Sequence, residues 1–214
     1  MTEMTADHVL ATTRAVRRRL DLNRRIPRDV LSECVSLAIQ APNASNSQPW
    51  HFVIVDDPKQ IADVAAIYGR AFDEMAQGYV DSYDRTDPRN ARLDNMRPSG
   101  EFLRANLHRV PAMLIPCISP RFEQWEGLDW AAPGYWSSIL LAAWSFMLAA
   151  RARGIGSSWT ALHLCYERET AEILGIPYDT CAQACLIPLG YSTGGDFKPA
   201  YRIPADSVTH WNSW

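Results

Sequence analysis

The sequence predicts an α+β fold in which helices predominate. One long segment, Gly134 to Arg153, has no charged residue before its last three positions, and its apolar residues point all round a helical wheel. A helix of this kind has to be buried on every side. Short apolar segments with strand character, 51–55, 112–118 and 184–191, alternate with helical patterns. No internal repeat or low-complexity linker interrupts the chain, so we expect residues 1–214 to form a single domain.

The apolar helix can be buried either in a bilayer or at the centre of a protein, where two subunits can share it. Its strongly apolar run, Ile139 to Ala150, is shorter than the roughly 20 residues that a membrane span needs. We therefore predict no membrane association and a helix shared across a subunit interface. Gly154 can end this helix in a left-handed conformation, and the small residues of 154–158 would let the backbone approach a ligand.

The charge of the chain is nearly balanced overall but unevenly distributed. A formal net charge of −3 argues against a dedicated nucleic-acid binder. Seven arginines lie between positions 14 and 28, and Asp21 is the one acidic residue among them. Such a cluster is either a solvated face or an anion site, most simply a site for a phosphate group.

The five cysteines are odd in number and lie mostly in apolar segments. This pattern predicts buried free thiols in a reducing compartment. Cys181 and Cys185 have no His or further Cys beside them at metal-ligand spacing, so no metal site is predicted. The N-terminal residues include acidic ones and lack the hydrophobic core of a signal peptide, and a cytoplasmic protein is expected.

The first part of the chain is predicted to contain three helices and a strand. Thr5 to Thr13 has a modest apolar face, and Pro27 to Gln40 repeats apolar residues at intervals of three and four. A loop over 41–49 is rich in side chains that bond locally or to ligands. His51 to Val55 is a strand, and Asp57 caps a helix that starts at Pro58 and runs to about Ala76.

The second part begins with a polar stretch, Gly78 to Gly100, which is expected to be structureless, mobile and a substrate lid. The elements predicted after it are a helix at 101–109, a strand at 112–118, a tryptophan-bearing loop at 121–130, the central helix, a helix at 167–174 and a strand at 184–191. Both strands contain Leu-Ile-Pro. Because proline removes a ladder donor, bulges or sheet edges are expected there.

Common catalytic templates are absent from the sequence, including the nucleophile elbow, the His-Glu-x-x-His motif, the Walker loop and the dinucleotide fingerprint. What stands out is the arginine cluster, an amide-rich loop that ends at Trp50, and Arg202. A flavin mononucleotide (FMN) would use such parts: forked guanidinium donors for its phosphate, amide donors along its polar ring edge, and an apolar wall. Arg14 or Arg18 would place positive charge near the reduced ring, and the loop around Trp159 would supply the wall.

The chain resembles the FMN-dependent nitroreductase family. The similar motifs occur in order along nearly the whole chain: Arg14-x-x-x-Arg18, APNASNSQPWHFVIV, GIGSSWT after the apolar helix, LGIP, LIPLGY and KPAYRIP. The opening TTRAVRRRLD and the ending SVTHWNSW are similar to one branch of the family. The resemblance implies a central mixed sheet flanked by helices, an intertwined homodimer, and FMN sites at the dimer interface.

The resemblance also implies which residues bind FMN. It assigns the phosphate to Arg14, Arg18 and Arg202, together with Lys198, and the ring to the loop residues and to the main chain near Trp159. This chain lacks the serine usual between the first two basic residues, so Arg17 is an alternative to Arg18. The full set of expected cofactor-binding residues is Arg14, Arg18, Ser45, Asn46, Gln48, Trp159, Thr160 and Arg202.

The function implied is transfer of two electrons from NADH or NADPH through FMN to a small acceptor such as a nitroaromatic or a quinone. No side chain is expected to act as an acid or base, because the flavin carries the chemistry. Trp125, Trp130, Tyr135 and Trp136 are candidates to line the slot over the flavin. The alternative is a flavin- or ligand-binding protein without turnover on the same scaffold.

Overall fold

The computed structural model describes residues 5–76, 90–124, 127 and 129–214. Its helices are α1 (Ala6–Thr12), α2 (Arg28–Ala38), α3 (Pro58–Ala76), α4 (Asn90–Asn106), α5 (Ala132–Ala152) and α6 (Glu167–Leu174). Its strands are β1 (Leu20–Asp21), β2 (Trp50–Val55), β3 (Ala112–Ile118), β4 (Ile155–Ser157), β5 (Ala182–Gln183) and β6 (Ile187–Ser192). The predicted α+β class is confirmed.

The strands form one sheet. β6 pairs with β4 along one side and with β1 and β3 along the other. β3 pairs with β2 on its far side and with the short β5 on the side of β6. All ladders between these strands are antiparallel. Within the described ranges, parallel pairing in the predicted mixed sheet is confined to an isolated bridge between Ala15 and Ser157. Residues at 14–16 therefore lie along the outer side of β4, and β2 forms the opposite edge of the sheet.

Helices cover both faces of the sheet. Along β3, successive side chains point to opposite faces. Leu114 packs in a cluster with Leu31 of α2 and Phe146 of α5. Met113 packs in another cluster with Val64 of α3 and Ala171 of α6. The sheet is thus sandwiched between α2 with α5 and α3 with α6.

Pro116 and Pro188 lie in interior strands, so the prediction of sheet edges is wrong for both. Each proline occurs where one neighbouring strand is missing. β6 pairs with β3 as far as Leu114 and β5 pairs with it from Cys117, which leaves Pro116 between the two ladders. β4 pairs with β6 only from Leu189 onward, one residue after Pro188. Because each ladder is interrupted there, the missing N–H of the proline leaves no carbonyl of that neighbouring strand without a partner.

Helix α5 is the predicted apolar helix, and Gly154 ends it with φ +75° as expected. Complete burial is wrong for a single chain, because Leu140, Leu141 and Trp144 are 37%, 43% and 37% exposed. These three residues form an apolar stripe on the outer side of α5. Among the described residues, no helix has the length and hydropathy needed to cross a membrane.

The prediction of a structureless stretch up to Gly100 is wrong from Asn90 onward, because α4 begins there. Its polar composition is that of a helix with a solvated face. Arg104 holds α4 to α3 through an ion pair with Asp73, whose Nε–Oδ1 distance is 2.9 Å. The rest of the predicted lid, 78–89, lies outside the described residues.

Candidate functional site

The first arginines of the cluster follow the outer side of β4. The amide of Val16 donates to the carbonyl of Ser157 at 2.8 Å, and the Val16 side chain is buried. A Cβ at Gly156 would stand 2.9 Å from Cγ1 of Val16, so glycine is needed for this segment to pack. Gly156 thus leaves room for residues 14–18, which we call the arginine segment. The sequence had suggested instead that the small residues here let a ligand approach.

The C-terminal segment joins the arginines at this edge. Arg14 donates from Nη1 to the carbonyl of Lys198 at 3.2 Å. Arg19 donates to the carbonyls of Thr193 and Gly195, and its guanidinium lies 4.1 Å from the ring centre of Phe197. The structure thereby brings the chain near Lys198, four residues before Arg202, to Arg14. Arg202 is exposed and donates to the neighbouring carbonyl of Tyr201.

Trp159 and Thr160 lie next to the arginine segment along the sheet. Thr160 exchanges two backbone hydrogen bonds with Leu186, at 3.0 and 2.8 Å. Its side chain shares a hydrogen bond with Tyr68 of α3. Burial raises the pKa of Tyr68, and this hydrogen bond and the nearby charge of Arg17 offset part of the rise. Arg17 therefore lies on the same side as Thr160, while Arg18 is exposed. We call the residues Arg14, Arg17, Arg18, Trp159, Thr160, Lys198 and Arg202 the cationic edge.

His163 lies fully buried just after the Trp159–Thr160 segment. Neither of its ring nitrogens makes a hydrogen bond of ordinary geometry among the described residues, although the Gln183 side chain lies close enough to interact with the ring. Burial lowers the pKa of His163 to about 4, so the ring is neutral near pH 7. An uncharged imidazole is therefore buried three residues after Thr160 in the sequence.

The loop of residues 43–48 has an unusual backbone. Ser45, Asn46 and Gln48 have φ values of 53°, 52° and 49°, a region that side chains other than glycine rarely adopt. The Asn43 side chain accepts from the amide of Gln48 at 2.9 Å. We call residues 43–48 the amide loop. Such outliers mark functional sites, because the cost of the conformation has to be balanced by the surroundings.

The amide loop is anchored on α5. Oγ of the fully buried Ser138 accepts from the amide of Ala44 at 3.1 Å and donates to the carbonyl of Gly134 at 3.1 Å. The loop also ends in a bond from the amide of Ser119 to the carbonyl of Pro49, at 2.9 Å. Sequence reasoning missed Ser138, because an isolated serine in an apolar helix has no local signature.

The predicted cofactor residues fall into two groups at opposite edges of the sheet. Arg14, Arg18, Trp159, Thr160 and Arg202 belong to the cationic edge, whereas Ser45, Asn46 and Gln48 belong to the amide loop before β2. Between the bridge at Ala15 and strand β2 lie four strand-to-strand spacings, which amount to about 19 Å. One chain therefore does not bring the two groups together.

A family model described as the nitroreductase family matches residues 10–191. The chain belongs to the nitroreductase family. It is 30% identical to an NADH dehydrogenase of Thermus thermophilus, over 87% of this chain and 86% of that one. It is 25% identical to a 4-nitrobenzoate reductase of Pseudomonas putida, over 96% and 94% of the two chains.

Solved structures show the nitroreductase fold as well. An FMN and NADPH-dependent nitroreductase from Sphigopyxis sp. strain HMH superposes with a TM-score of 0.70. The two chains are 20% identical, and the match covers 98% of this chain and all of the other. Residues 192–214, which carry Lys198 and Arg202, lie beyond the matched family model.

The aromatic residues proposed to line a slot differ in this nitroreductase chain. Trp125 lies outside the described residues. Tyr135 is buried and packs against Phe122 and Trp136, with ring centres 5.4 and 5.2 Å apart. Trp130 is 79% exposed. Of these, Tyr135 serves the core, and Trp130 is free to contact another molecule.

Across the described ranges, no group of three or more His, Cys, Asp or Glu side chains is placed to hold a metal ion. All five cysteines are free thiols. Cys165 is exposed, and the other four are buried as the apolar segments predicted.

Proposed function

We propose that this protein is an FMN-dependent oxidoreductase that passes two electrons from NADH or NADPH to a nitroaromatic, a quinone or a similar acceptor. The observation that carries the proposal is the cationic edge, where the segment that carries Arg14, Arg17 and Arg18 bonds to β4 just before Trp159 and Thr160, and Arg14 donates to the carbonyl of Lys198. The family and the names of its relatives support the cofactor, the reductant and the acceptor class.

The donor set of the cationic edge fits a phosphate group. Within the described part of the chain, Arg14, Arg17, Arg18 and Arg202 form no ion pair with a carboxylate. By contrast, Arg28 pairs with Asp56 at 2.6 Å, and Arg151 pairs with Asp196. Guanidinium groups that stay unpaired suit a dianion, because each can donate two parallel hydrogen bonds. Arg14, Arg202 and either Arg17 or Arg18 would hold the phosphate.

The ring of FMN would lie against Trp159 and Thr160 on one side. The amide loop would supply the remaining polar contacts through Ser45, Asn46 and Gln48. Since the loop and the cationic edge lie at opposite edges of one sheet, we infer that the loop comes from a second copy of the chain. The exposed stripe of Leu140, Leu141 and Trp144 supports such a homodimer, because obligate interfaces resemble a core cut in half.

When bound, FMN supplies a two-electron carrier between the nicotinamide and the acceptor. The side chains of this protein then bind, orient and exclude water. Arginine charge at the cationic edge neutralises the phosphate, and the preformed backbone of the amide loop orients the ring at little entropic cost. No acid or base among the side chains is required, and we assign none. We further infer one FMN-binding domain over residues 1–214 in a cytoplasmic protein.

The test is the visible spectrum of the purified protein before and after anaerobic addition of NADPH or NADH. We expect a yellow preparation whose flavin absorbance bleaches with either reductant and returns when a nitroaromatic or quinone is added. A colourless protein that binds no added FMN contradicts the proposal. A yellow protein that neither nicotinamide reduces supports the alternative, a flavin-binding protein without turnover.

A further inference from the structure

We infer that Cys117 and Cys181 form a redox-active dithiol that a hydroperoxide converts to a disulfide. The pair lies on the α6 side of the sheet, and neither cysteine belongs to the cationic edge or to the amide loop. The inference does not depend on FMN binding, and it rests on the contact of two thiols at a cavity that opens to solvent.

The strand register places the two cysteines side by side. In the β3–β5 ladder, Cys117 is opposite Gln183, and Cys181 precedes Gln183 by two residues. Residues two apart on a strand point to the same face, so Cys181 is a diagonal neighbour of Cys117. The Cys117 thiol lies in hydrogen-bonding contact with the carbonyl of Ile115, at 3.5 Å, and with the Cys181 sulfur. Both side chains also belong to one core cluster and line one cavity, so the two thiols are neighbours in the folded chain.

A cavity of about 350 Å³ gives access to the pair. Cys117 and Cys181 line it together with His51 and Ser119 from the β2 side and the turn at 175–177 from α6. His51 is exposed at the rim, while Cys181 and Cys117 are 4% and 0% exposed. The cavity admits a small oxidant and keeps large thiols, such as those of other proteins, away from the sulfurs.

The surroundings make the two sulfurs unequal. The hydrogen bond from Cys117 and then the positive charge of Arg121 lower the pKa of Cys181. Arg121 donates to the carbonyl of Cys181 at 3.1 Å, although its pairing with Glu167 at 2.8 Å offsets part of this effect. The hydrogen bond to Cys181 and burial raise the pKa of Cys117. Cys181 is therefore the nucleophile, and Cys117 is the thiol that resolves the product.

The reaction balances with hydrogen peroxide as the oxidant. The Cys181 thiol first loses its proton. The thiolate attacks one peroxide oxygen, the O–O bond breaks, and the second oxygen leaves as hydroxide and takes up the proton released by Cys181, which gives a sulfenic acid and water. The Cys117 sulfur then attacks the Cys181 sulfur, the S–O bond breaks, and the Cys117 proton leaves with the hydroxide as a second water. Two thiols are oxidised by two electrons, and one peroxide is reduced to two waters.

The other cysteines provide controls within the same chain. Cys165 is exposed, and its side chain is not part of this cavity. Cys34 and Cys185 are fully buried, and burial raises the pKa of both thiols. Neither resembles Cys181, which combines a thiol neighbour with access to solvent.

The experiment treats the intact protein with equimolar hydrogen peroxide, alkylates free thiols after denaturation and maps the digested peptides by mass spectrometry. We expect a linked peptide pair containing Cys117 and Cys181, the loss of two free thiols, and reversal by dithiothreitol. Cys181→Ser should abolish the link, whereas Cys185→Ser and Cys34→Ser should leave it unchanged.

A second variant separates the two chemical steps and guards against a folding defect. In Cys117→Ala the sulfenic acid at Cys181 has no resolving thiol, so dimedone should label Cys181 at least tenfold more than in the unaltered protein. The inference is overturned if the unaltered protein gives no 117–181 link while Cys165 is oxidised. It is also overturned if Cys181 links to Cys185 instead, or if dimedone labels Cys181 equally in both proteins.

Discussion

The cationic edge and the amide loop differ in how each prepares for a ligand. The cationic edge presents long guanidinium side chains. Backbone hydrogen bonds from Val16 to Ser157 and between Thr160 and Leu186 hold the main chain of this edge in place. The amide loop contains three left-handed residues, and its shape is held before any ligand arrives by the amides of Gln48 and Ala44, which donate to Asn43 and Ser138. Charge is thus supplied by groups that a ligand must order, and shape by a backbone that is already ordered.

The cationic edge and the amide loop should therefore respond differently to substitution. A left-handed residue other than glycine costs about 1 to 3 kcal/mol, so the loop depends on its anchors. The arginines act on an anion through their positive charge. Losing one of them therefore lowers the affinity for an anion more than it lowers the stability of the fold. Substitutions in the two edges should therefore have different signatures.

The largest expected effect concerns the buried His163, which follows Thr160 of the cationic edge in the sequence. The pKa of His163 in the folded protein, about 4, is below its ordinary value of 6.5. As the pH falls below 6.5 the unfolded state binds a proton first, so stability is lost down to pH 4, by about 3 kcal/mol. Denaturant unfolding of His163→Leu should lack this loss, and His210→Gln, at an exposed position, should retain it. Equal pH dependence in His163→Leu and the unaltered protein would show that folding does not lower the pKa of this imidazole.

The next effect is on cofactor affinity at the cationic edge. Arg14→Ala and Arg202→Ala should each weaken FMN binding by about 1.5 to 3 kcal/mol, or roughly 10- to 150-fold, with unfolding nearly unchanged. Fluorescence titration with FMN measures this. Arg24→Ala is the control, because its guanidinium lies 3.6 Å from the ring centre of Tyr191 rather than at the cationic edge.

The same titration decides between Arg17 and Arg18. We expect an alanine substitution of one of them to weaken binding as Arg14→Ala does, and of the other to leave it within twofold. If neither arginine matters, the phosphate does not lie at this edge.

Gly156→Ala tests how the arginine segment is seated. The new Cβ would meet Val16 at 2.9 Å, so the segment has to shift, and we expect a loss of about 1 to 3 kcal/mol in unfolding free energy together with weaker FMN binding. Gly134→Ala is the control, because no atom lies within 4 Å of its Cβ position. In helix α5 that change should be neutral or stabilising. A Gly156→Ala protein as stable as the unaltered one would mean that the segment adapts freely.

The smallest effect concerns the anchor of the amide loop. Ser138→Ala leaves the amide of Ala44 without its partner and should cost about 1 kcal/mol of stability. It should also reduce FMN affinity, since the loop loses its preorganised shape. Ser137→Ala removes only a bond to the carbonyl of Gly134 and should do neither. If the two variants behave alike, Ser138 does not hold the loop.

Much of the fold followed from local patterns. The strand at 112–118 and the helix at 167–174 have the predicted boundaries, because apolar runs and helical periodicity fix such elements locally. Helix α4 was missed at its start, because its polar residues resemble a loop until the packing against Asp73 is known. The interruption of ladders at Pro116 and Pro188 depends on the pairing of distant strands, which no local pattern reveals.

The candidate site was predictable as a set of residue types but not as an arrangement. The arginines and the amide-rich loop stand out by composition. Their placement at opposite edges, the left-handed conformation of Ser45, Asn46 and Gln48, and the roles of Tyr68 and Ser138 arise only from tertiary structure.

The central claim is that the cationic edge of one subunit and the amide loop of another form each site, and subunit mixing tests it most directly. One chain carries Arg14→Ala with Arg202→Ala, and the other carries Asn46→Ala with Gln48→Ala. The two chains are coexpressed with different affinity tags, and heterodimers are purified by both tags. Flavin content is then compared with that of the two variant homodimers and the unaltered protein. If the site is shared, one of the two sites in each heterodimer combines an unaltered cationic edge with an unaltered amide loop. We therefore predict half of the unaltered flavin content in the heterodimer and almost none in either variant homodimer. Heterodimers that bind no more flavin than the variant homodimers would contradict the claim.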